Sequence, residues 1–454
     1  MNNGVFLPIE ITQREYVSKL LLAIELVKKG MPVIIGHKGP VIKLALETKE
    51  PGIFFHKGTM AGGLENIYNL LKKKKFGFVA QDEEAGVIFD NFEDFYNDRP
   101  SLESVGKLDL FFTWGEEEYE FLVKKFGNKI VKNSGGLRSC FWGDLGKKFY
   151  ENNINSIKKK YGNYILIASN LATYNPFLGK KKDLIRESKR NNFDLNQYNK
   201  LFAKEKRFFF QYKKLVELIT NDLKKTVVIR PHPSESIQGW KDSLKDFKNV
   251  IIEREGDLLS WILASDFVIQ NNCTSAIEAT TVGIPVITYV DDHEDLLSYK
   301  GKENIPNKLS INIFGKDKFV EIINDIKSIW DKNENKISRE ILLKKKLKNY
   351  GTIKNMEYIA QTIIEYVGTP NPKGNENIGK DSILFDIYEL FRKLRPKTKS
   401  TIMDINKRQT LSYDMVQKDI AHLLNIIKVD KKINMKRVRP NTFYLYPFGA
   451  DSEK

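Results

Sequence analysis

The chain has 454 residues, of which 41% are hydrophobic, enough for two ordinary domains with apolar cores and a further segment. No stretch approaches the roughly 18 to 20 consecutive apolar residues of a membrane span, and the N-terminus lacks the basic-then-apolar layout of a signal peptide. The two cysteines, Cys140 and Cys273, lie far apart and form no CxxC or Cys/His cluster. The cysteine pattern therefore indicates neither a disulfide framework nor a zinc site. The lack of an apolar span and of a signal-peptide layout predicts a cytoplasmic protein.

The charge balance is 74 basic against 58 acidic residues, a net charge of +16. Such a surplus favours a polyanionic partner, but it does not distinguish nucleic acid, anionic lipid and phosphorylated substrates. The basic residues are scattered, and runs such as 72–75 and 180–182 are typical of solvated surfaces. Because the sequence contains no nucleic-acid recognition module, we do not expect a nucleic-acid partner.

Short apolar strands alternate with helices through the first part of the chain. The hydrophobic pattern predicts helices over 14–29, 64–74 and 116–125, and strands over 32–36, 76–80, 108–113 and 129–131. This alternation is typical of a parallel sheet covered by helices on both faces. We therefore assign residues 1–155 to a first Rossmann-like α/β domain.

A second α/β series follows. It has predicted strands over 164–169, 226–230, 250–252, 267–270 and 284–288, with closing helices over 316–330 and 358–366. A basic, aromatic stretch over 195–223 interrupts it, and we interpret this stretch as an ordinary long helix rather than a substrate-facing insertion. Residues 156–367 are assigned to a second Rossmann-like domain.

The segment 368–454 is interpreted as a basic, partly helical extension, since it holds 17 basic and 10 acidic residues, or +7. It opens with a linker over 368–374 and contains an amphipathic helix candidate over 382–394, followed by a basic string over 395–399. An apolar stripe of this length usually docks on its own protein. Peripheral contact with an anionic membrane is the alternative.

The strand over 226–230 runs directly into Pro231-His-Pro-Ser-Glu235. Arg230 and His232 therefore stand at the carboxyl end of a parallel strand, where open α/β sheets bind ligands. Imidazole can donate a hydrogen bond to a phosphate oxygen, and arginine adds a fixed positive charge. The alternative is a histidine that only packs in a turn, and the position favours phosphate binding.

A second constellation, Asn271-Asn-Cys-Thr-Ser-Ala-Ile-Glu278, follows the strand over 267–270. Thr274 and Ser275 stand where a helix begins, so their hydroxyls and the first free N–H groups can bind phosphate. Glu278, one turn later, can accept hydrogen bonds from ribose hydroxyls. Helix capping explains the same residue types without a ligand. We include Asn272 in the predicted donor-binding set.

Three carboxylates, Asp82, Glu83 and Glu84, follow the strand over 76–80. Adjacent like charges at a strand end are unfavourable for stability, whereas a carboxylate there can act as general base or as nucleophile. An acidic solvent loop is the alternative. For the second acidic run, over 116–118, we favour that alternative because it opens a helix.

These motifs resemble the bacterial surface carbohydrate biosynthesis family, which is related to capsule Kdo transferases and, more distantly, to bacterial sialyltransferases. The resemblance covers roughly residues 1–367. It rests on Leu7-Pro-Ile-Glu10, Arg14-Glu15, Ser18-Lys-Leu-Leu-Leu-Ala23, Val33-Ile-Ile-Gly36, Asp82-Glu-Glu84, Phe112-Thr-Trp-Gly115, Tyr164-Ile-Leu-Ile167 and Arg230-Pro-His-Pro233.

The resemblance implies a GT-B-like architecture, in which two Rossmann-like domains face a cleft that binds a CMP-activated donor. It implies catalysis by the acidic loop, donor-phosphate contacts from His232 and Pro233, and similar contacts from Thr274 and Ser275. Glu10, Arg14 and Lys19 are expected on the acceptor side of the cleft. The chain departs from the family pattern at Ala85, where a glycine is expected, and at Gly135-Gly-Leu-Arg138, which keeps the arginine but lacks a turn proline.

The predicted activity is transfer of a Kdo, pseudaminic, legionaminic or sialic-type sugar from a CMP donor to a surface glycan such as capsule or lipopolysaccharide O-chain. Cationic side chains can offset the phosphate charge, so no metal or other cofactor is expected, with magnesium at the acidic loop as an alternative. The expected partners are a nucleotide-sugar donor and an oligosaccharide or lipid-linked acceptor. The alternatives are a CDP-glycerol-type or UDP-sugar transferase and a non-catalytic binding subunit of a glycan assembly complex.

Overall fold

The computed structural model describes residues 4–58, 65–83, 88–90, 92–98, 102–188, 193–297, 304–369 and 409–447. Three predictions fall outside these ranges: Glu84 of the acidic loop, the helix over 382–394 and the basic string over 395–399. Within the described ranges, none of the helices combines the length and apolar character needed to cross a membrane.

The first domain is built on an eight-stranded sheet in the order β13-β14-β2-β1-β3-β4-β5-β6. Its six N-terminal strands are parallel and mostly buried, because helices cover both faces. The elements are β1 (Val5–Ile9), α1 (Thr12–Lys28), β2 (Val33–His37), α2 (Lys38–Glu47), β3 (Ile53–His56), α3 (Glu65–Lys73), β4 (Gly77–Gln81), α4 (Phe92–Asp98), α5 (Leu102–Val105), β5 (Leu110–Thr113), α6 (Glu116–Phe126), β6 (Val131–Asn133), α7 (Asp144–Phe149) and α8 (Glu151–Tyr161).

The second domain is built on a six-stranded, entirely parallel sheet in the order β12-β11-β10-β7-β8-β9. The elements are β7 (Tyr164–Ser169), α9 (Lys180–Glu187), α10 (Leu195–Glu217), β8 (Thr226–Pro231), α11 (Ile237–Ser243), β9 (Val250–Ile252), α12 (Leu258–Ala264), β10 (Phe267–Gln270), α13 (Ser275–Thr281), β11 (Val286–Val290), α14 (Ile305–Leu309), β12 (Ile311–Phe314), α15 (Gly315–Ile322), α16 (Ile326–Asp331), α17 (Asn333–Lys346) and α18 (Lys354–Val367).

Two parallel-sheet α/β domains are therefore present, which confirms the predicted fold class. The sequence analysis did not identify β1, β3 and β12 as strands. Two of these, β3 and β12, have only four residues each, and β1 contains Pro8. Such short runs give little periodicity, and their pairing in the sheet makes them strands.

The last two helices of the second domain return to the first. Apolar residues of α18, including Met356 and Ile359, share a buried core with Leu20 and Leu21 of α1. From α17, Lys346 forms an ion pair with Glu117 of α6 at 2.6 Å. The predicted end of the second domain, residue 367, coincides with the end of α18. The helices α17 and α18, however, pack on both domains.

The C-terminal segment also differs from the expected extension. It contains α19 (Tyr413–Ile426) and a hairpin of β13 (Ile433–Arg439) and β14 (Thr442–Pro447). β14 pairs antiparallel with β2, so the hairpin extends the first sheet. The close approach requires a glycine: a Cβ on Gly36 would lie 2.4 Å from the Asn441 carbonyl oxygen. Long-range strand pairing of this kind leaves no local signal in the sequence.

Candidate functional site

A cavity of about 270 Å³ lies between the two domains, at the carboxyl edge of the second sheet. The first domain contributes the start of α1 and the segment before α7, and the second contributes the residues that follow β7, β8, β9 and β10. Open parallel sheets bind ligands at this edge. The lining includes Arg14, Arg138, Arg230, Arg254, His232, Asp257, Thr274 and Glu278, with an apolar wall of Val17, Phe141, Trp142, Tyr150, Leu258 and Leu259.

His232 and Pro233 line this cavity directly after β8. Nδ1 of His232 accepts a hydrogen bond from the backbone N–H of Ser234 at 3.2 Å. An imidazole whose Nδ1 accepts carries its proton on Nε2, which makes that nitrogen a hydrogen-bond donor. The turn therefore presents the kind of group that the sequence predicted for a phosphate site.

A buried carboxylate that the sequence analysis did not assign, Glu235, holds this turn in place. It accepts hydrogen bonds from the backbone N–H of His232, the indole N–H of Trp240 and the hydroxyl of Ser169, each at 2.9 Å. Burial raises the pKa of Glu235, and these donors partly oppose the increase. The only sequence signal was a carboxylate three residues after a histidine between two prolines.

Two arginines lie beneath the turn with different tasks. The Arg230 guanidinium donates hydrogen bonds to the carbonyls of Glu255, Arg254 and Gly256 at 2.7–3.0 Å, so it fixes the loop after β9 as well as lining the cavity. Burial lowers the pKa of Arg230 to about 10. Arg254 donates to the Glu235 carbonyl at 2.6 Å, and its buried Nη1 has no hydrogen-bond partner within the described ranges.

Arg254 lines the cavity, so its buried Nη1 can donate a hydrogen bond to a bound ligand. Arg254 was not among the predicted site residues, although it follows β9 closely, as His232 follows β8. Ligands bind at the carboxyl ends of parallel strands, and Arg254 lies two positions after the end of β9. A ligand phosphate oxygen would accept the hydrogen bond that Nη1 of Arg254 can donate.

The predicted Thr/Ser constellation is only partly at the cavity. Thr274 lines it at the start of α13, whereas Ser275 is fully buried beneath and is not part of the lining. Asn272 adopts a positive φ of 48°, and its side-chain oxygen accepts hydrogen bonds from Asn304 at 2.7 Å and Asn307 at 2.9 Å. Asn272 thus braces the loop and does not line the cavity.

Arg138 connects the two domains. Its Nη1 lies 3.6 Å from Glu278 of α13, and its Nε lies 3.7 Å from Glu83 after β4. The guanidinium also lies over the rings of Trp114 and Trp142, 5.8 and 5.7 Å from their centroids. Since the ion-pair distances exceed hydrogen-bond length, Arg138 is held mainly by charge and stacking.

Glycine geometry shapes the backbone just before Arg138. Gly135 has a φ of 93°, a left-handed conformation that side chains disfavour. A Cβ there would lie 2.1 Å from the Lys348 carbonyl oxygen. Gly135 therefore lets the backbone pass close to the segment between α17 and α18, three residues before Arg138.

Glu83 lies at the centre of a buried charge cluster. Only 1% of its side chain is exposed, and neither carboxylate oxygen has a hydrogen-bond partner in the part of the chain that the structure describes. Lys19 lies 3.8 Å away, but its ammonium already donates to Glu15 at 2.9 Å and to the Pro8 carbonyl at 2.7 Å. Burial raises the pKa of Glu83, while Lys19 and Arg138 oppose the increase.

The remaining first-domain candidates lie at different depths. Arg14 lines the cavity from the first turn of α1. Lys19 is fully buried, so it acts on the cleft through charge rather than by contact. Glu10 lies outside the cavity lining and pairs with Lys38 at 2.9 Å and Lys57 at 3.4 Å. Burial tends to raise the pKa of Glu10, but these lysines outweigh it and the net shift is downward.

Asp82 and Glu118 complete the acidic side. Asp82 is buried, and its carbonyl accepts a hydrogen bond from the Trp114 indole at 2.7 Å. Glu118 is also fully buried, contrary to the predicted solvent-facing helix start. Its carboxylate accepts hydrogen bonds from the backbone N–H of Trp114 and the hydroxyl of Tyr96, both at 2.7 Å. Burial raises the pKa of Glu118 to about 7.

The cavity thus combines arginines from both domains, a histidine donor, a carboxylate and an apolar wall. This arrangement can bind an anionic group with an attached polar and apolar moiety. Within the described residues, no cluster of three or more His, Cys, Asp or Glu side chains is arranged to hold a metal ion.

No protein-family model and no curated protein sequence matches the chain. Its structure is similar to that of S. aureus MnaA with UDP, at 16% identity and a TM-score of 0.48, covering 80% of this chain and 97% of that one. It is also similar to the Methanocaldococcus jannaschii UDP-GlcNAc 2-epimerase in complex with UDP-GlcNAc and UDP, at 16% identity and a TM-score of 0.43, covering 79% and 82%. The wall teichoic acid polymerase TagF, soaked with CDPG, matches at 10% identity and a TM-score of 0.42, covering 69% and 73%.

Proposed function

We propose that the protein is a cytoplasmic, nucleotide-sugar-dependent glycosyltransferase that binds its donor in the interdomain cavity. The observation that carries the proposal is the cavity lining: Arg14 and Arg138 from the first domain meet Arg230, Arg254 and His232 from the second at the carboxyl edge of a parallel sheet. Such a density of positive charge suits a phosphate together with a second anionic group.

The donor phosphate is assigned to the second-domain side. Nε2 of His232 and the unpaired Nη1 of Arg254 supply hydrogen-bond donors, and Arg230 holds the loop that carries Arg254. Thr274 lines the same wall and adds a hydroxyl. As the bond from sugar to phosphate breaks, negative charge grows on the phosphate oxygens, and these preorganised donors stabilise it.

Among the acidic-loop residues, Glu83 is the best candidate for the general base. Neither Glu83 nor Asp82 lines the cavity. The Glu83 carboxylate, however, is buried without a hydrogen-bond partner among the described residues and lies 3.7 Å from Arg138, which does line it. The acceptor oxygen bonds to the anomeric carbon while the bond from that carbon to the phosphate oxygen breaks. The hydroxyl proton passes to Glu83, and the nucleotide leaves with the bonding electron pair.

The finer assignment is a CMP-activated acidic sugar, of Kdo, pseudaminic, legionaminic or sialic type, transferred to a surface glycan. Support comes from the sequence resemblance and from the arginines on both sides of the cavity, since a sugar carboxylate needs a cationic partner beyond the phosphate site. Glu278 is placed to accept hydrogen bonds from ribose hydroxyls.

The test is mass spectrometry of nucleotide release from CMP-activated acidic sugars, CDP-glycerol and UDP-sugars, each with and without glycan acceptors. We expect CMP release that depends on acceptor. The Glu83→Gln and His232→Ala variants should lower turnover roughly 10²–10⁴-fold, as expected for loss of a general base or of a transition-state donor. Glu65→Gln, on the exposed surface of α3, is the matched control.

Release of UDP or a CDP product alone would refute the CMP assignment and support one of the alternative transferases. Nucleotide binding without turnover of any donor would favour a non-catalytic subunit. Full activity of both site variants would refute the site assignment itself.

A further inference from the structure

The stretch that interrupts the second domain forms α10, and part of its outer face carries an aromatic and basic stripe. Phe202, Lys206 and Phe210 follow one another at i, i+4 spacing, so they lie on one side of the helix. Phe210 is 45% exposed, Lys206 is exposed, and Phe202 is half-buried. The stripe therefore places one exposed aromatic side chain next to an exposed lysine.

Neighbouring elements extend this stripe into a surface. The Lys180 ammonium of α9 lies 3.9 Å from the centroid of the Phe202 ring. The half-buried Tyr174 ring packs against Phe202 at 5.4 Å and against Phe210 at 6.3 Å. Lys213 follows one turn after Phe210. We call this set, Tyr174, Lys180, Phe202, Lys206, Phe210 and Lys213, the α10 surface.

The α10 surface is connected to the donor cavity by a short, hydrogen-bonded loop. Tyr174 and Thr173 donate their backbone N–H groups to Glu205 of α10. In the same loop, the Asn175 side chain donates to the Ser236 carbonyl at 2.9 Å. Ser236 follows Glu235, the residue that holds the His232 turn. A partner on the α10 surface would therefore lie beside the wall that carries the proposed phosphate site.

We propose that the α10 surface docks on a membrane containing anionic lipids. Charge complementarity favours this partner: exposed lysines attract anionic headgroups, while Phe210 can enter the boundary between headgroups and acyl chains. Four of its six residues lie on α10, and Tyr174 and Lys180 come from the neighbouring loop and α9. The inference adds a site of membrane contact to the proposed function, which concerns a glycan acceptor.

The carboxylates near this surface are few among the described residues. Asp194 and Glu217 are exposed at the two ends of α10, while Glu205 is buried. Arg207 of α10 pairs with the buried Asp295. On α9, Asp183 and Glu187 pair with Arg186, so the α10 surface carries no local excess of negative charge. Of its lysines, Lys180 and Lys206 are exposed and Lys213 is half-buried.

The experiment is vesicle sedimentation of the full chain with phosphatidylcholine alone and with added phosphatidylglycerol. We expect binding only to the anionic vesicles and weakening with salt. A Lys206→Glu, Lys213→Glu, Phe210→Ser variant should bind at least about tenfold more weakly, because it reverses two charges and removes the apolar anchor. A matched control, Lys124→Glu, Lys125→Glu, Ile341→Ser, makes the same changes at exposed positions elsewhere.

The proposal is overturned if the wild-type protein does not sediment with anionic vesicles, or if the control loses as much binding as the α10 variant. Binding to a soluble anionic polysaccharide in place of vesicles would also overturn it and indicate a glycan surface. Donor turnover with a water-soluble acceptor is measured in parallel. It should be unchanged in the α10 variant, so a failed donor assignment is distinguishable from a failed membrane assignment.

Discussion

Replacing Arg138 by Met removes a positive charge that lies between two buried carboxylates, 3.7 Å from Glu83 and 3.6 Å from Glu278. Two unit charges about 4 Å apart interact by on the order of 4 kcal/mol at the effective dielectric of a protein site. Loss of this attraction disfavours the ionised form of Glu83. Its pKa, which burial already raises, should therefore increase further.

A base with a higher pKa is deprotonated only at higher pH. The acidic limb of the kcat/KM profile should therefore shift to higher pH in Arg138→Met, with low activity near neutrality that partly recovers in alkaline buffer. The assay is nucleotide release across a pH series with the donor that the mass-spectrometric test selects. Arg138→Lys, which keeps a positive charge, should shift the limb less.

Two results separate this reasoning from simple loss of structure. Removing one partner of a buried charge pair costs roughly 3–5 kcal/mol, so unfolding must be measured on each variant. If Arg138→Met is folded and its rate falls equally at every pH, then Arg138 does not set the ionisation of the base. In that case the role assigned to Glu83 would also be wrong.

Three further predictions concern single residues. Glu118→Gln should remove a pH dependence of the free energy of unfolding. Burial raises the folded-state pKa of Glu118 from 4.5 to about 7, so the wild-type protein loses about 3 kcal/mol of stability as pH rises through that window. Urea unfolding across this pH range measures the loss. Glu235→Gln should weaken nucleotide binding roughly tenfold, because the glutamine NH₂ group would face a buried N–H group from which the carboxylate accepts a hydrogen bond. Calorimetry with the nucleotide measures this change. Gly36→Ala should destabilise the protein by about 1–3 kcal/mol, because the new Cβ meets the Asn441 carbonyl oxygen at 2.4 Å, and limited proteolysis of the C-terminal hairpin reports it.

Each of these predictions has a clear failure. If the free energy of unfolding depends on pH equally in the wild-type protein and in Glu118→Gln between about pH 5 and about pH 7, then the wild-type Glu118 carboxyl group is not protonated in the folded state. Equal nucleotide affinity in Glu235→Gln would show that the turn does not position the donor site. Gly39→Ala is the control for the hairpin, since a Cβ there meets nothing within 4 Å, and equal protease sensitivity of the two glycine variants would contradict the packing argument.

The sequence by itself determined the alternating α/β class and the placement of several polar residues at strand ends. His232, Thr274 and Glu278 line the cavity because each follows a buried strand, and in a parallel sheet those ends share one edge. Hydrophobic runs and their spacing are local properties, so they can be read without knowing which strands are neighbours.

Only the tertiary structure decided which charges meet. Glu83, Arg138 and Glu278 are far apart in the chain, and their approach depends on the packing of the two domains. The same holds for the C-terminal hairpin, which joins the first sheet through Gly36 although more than 400 residues separate it from the start of that sheet. Strand order and domain contact are set by the burial of apolar surface over the whole chain, and no local pattern encodes them.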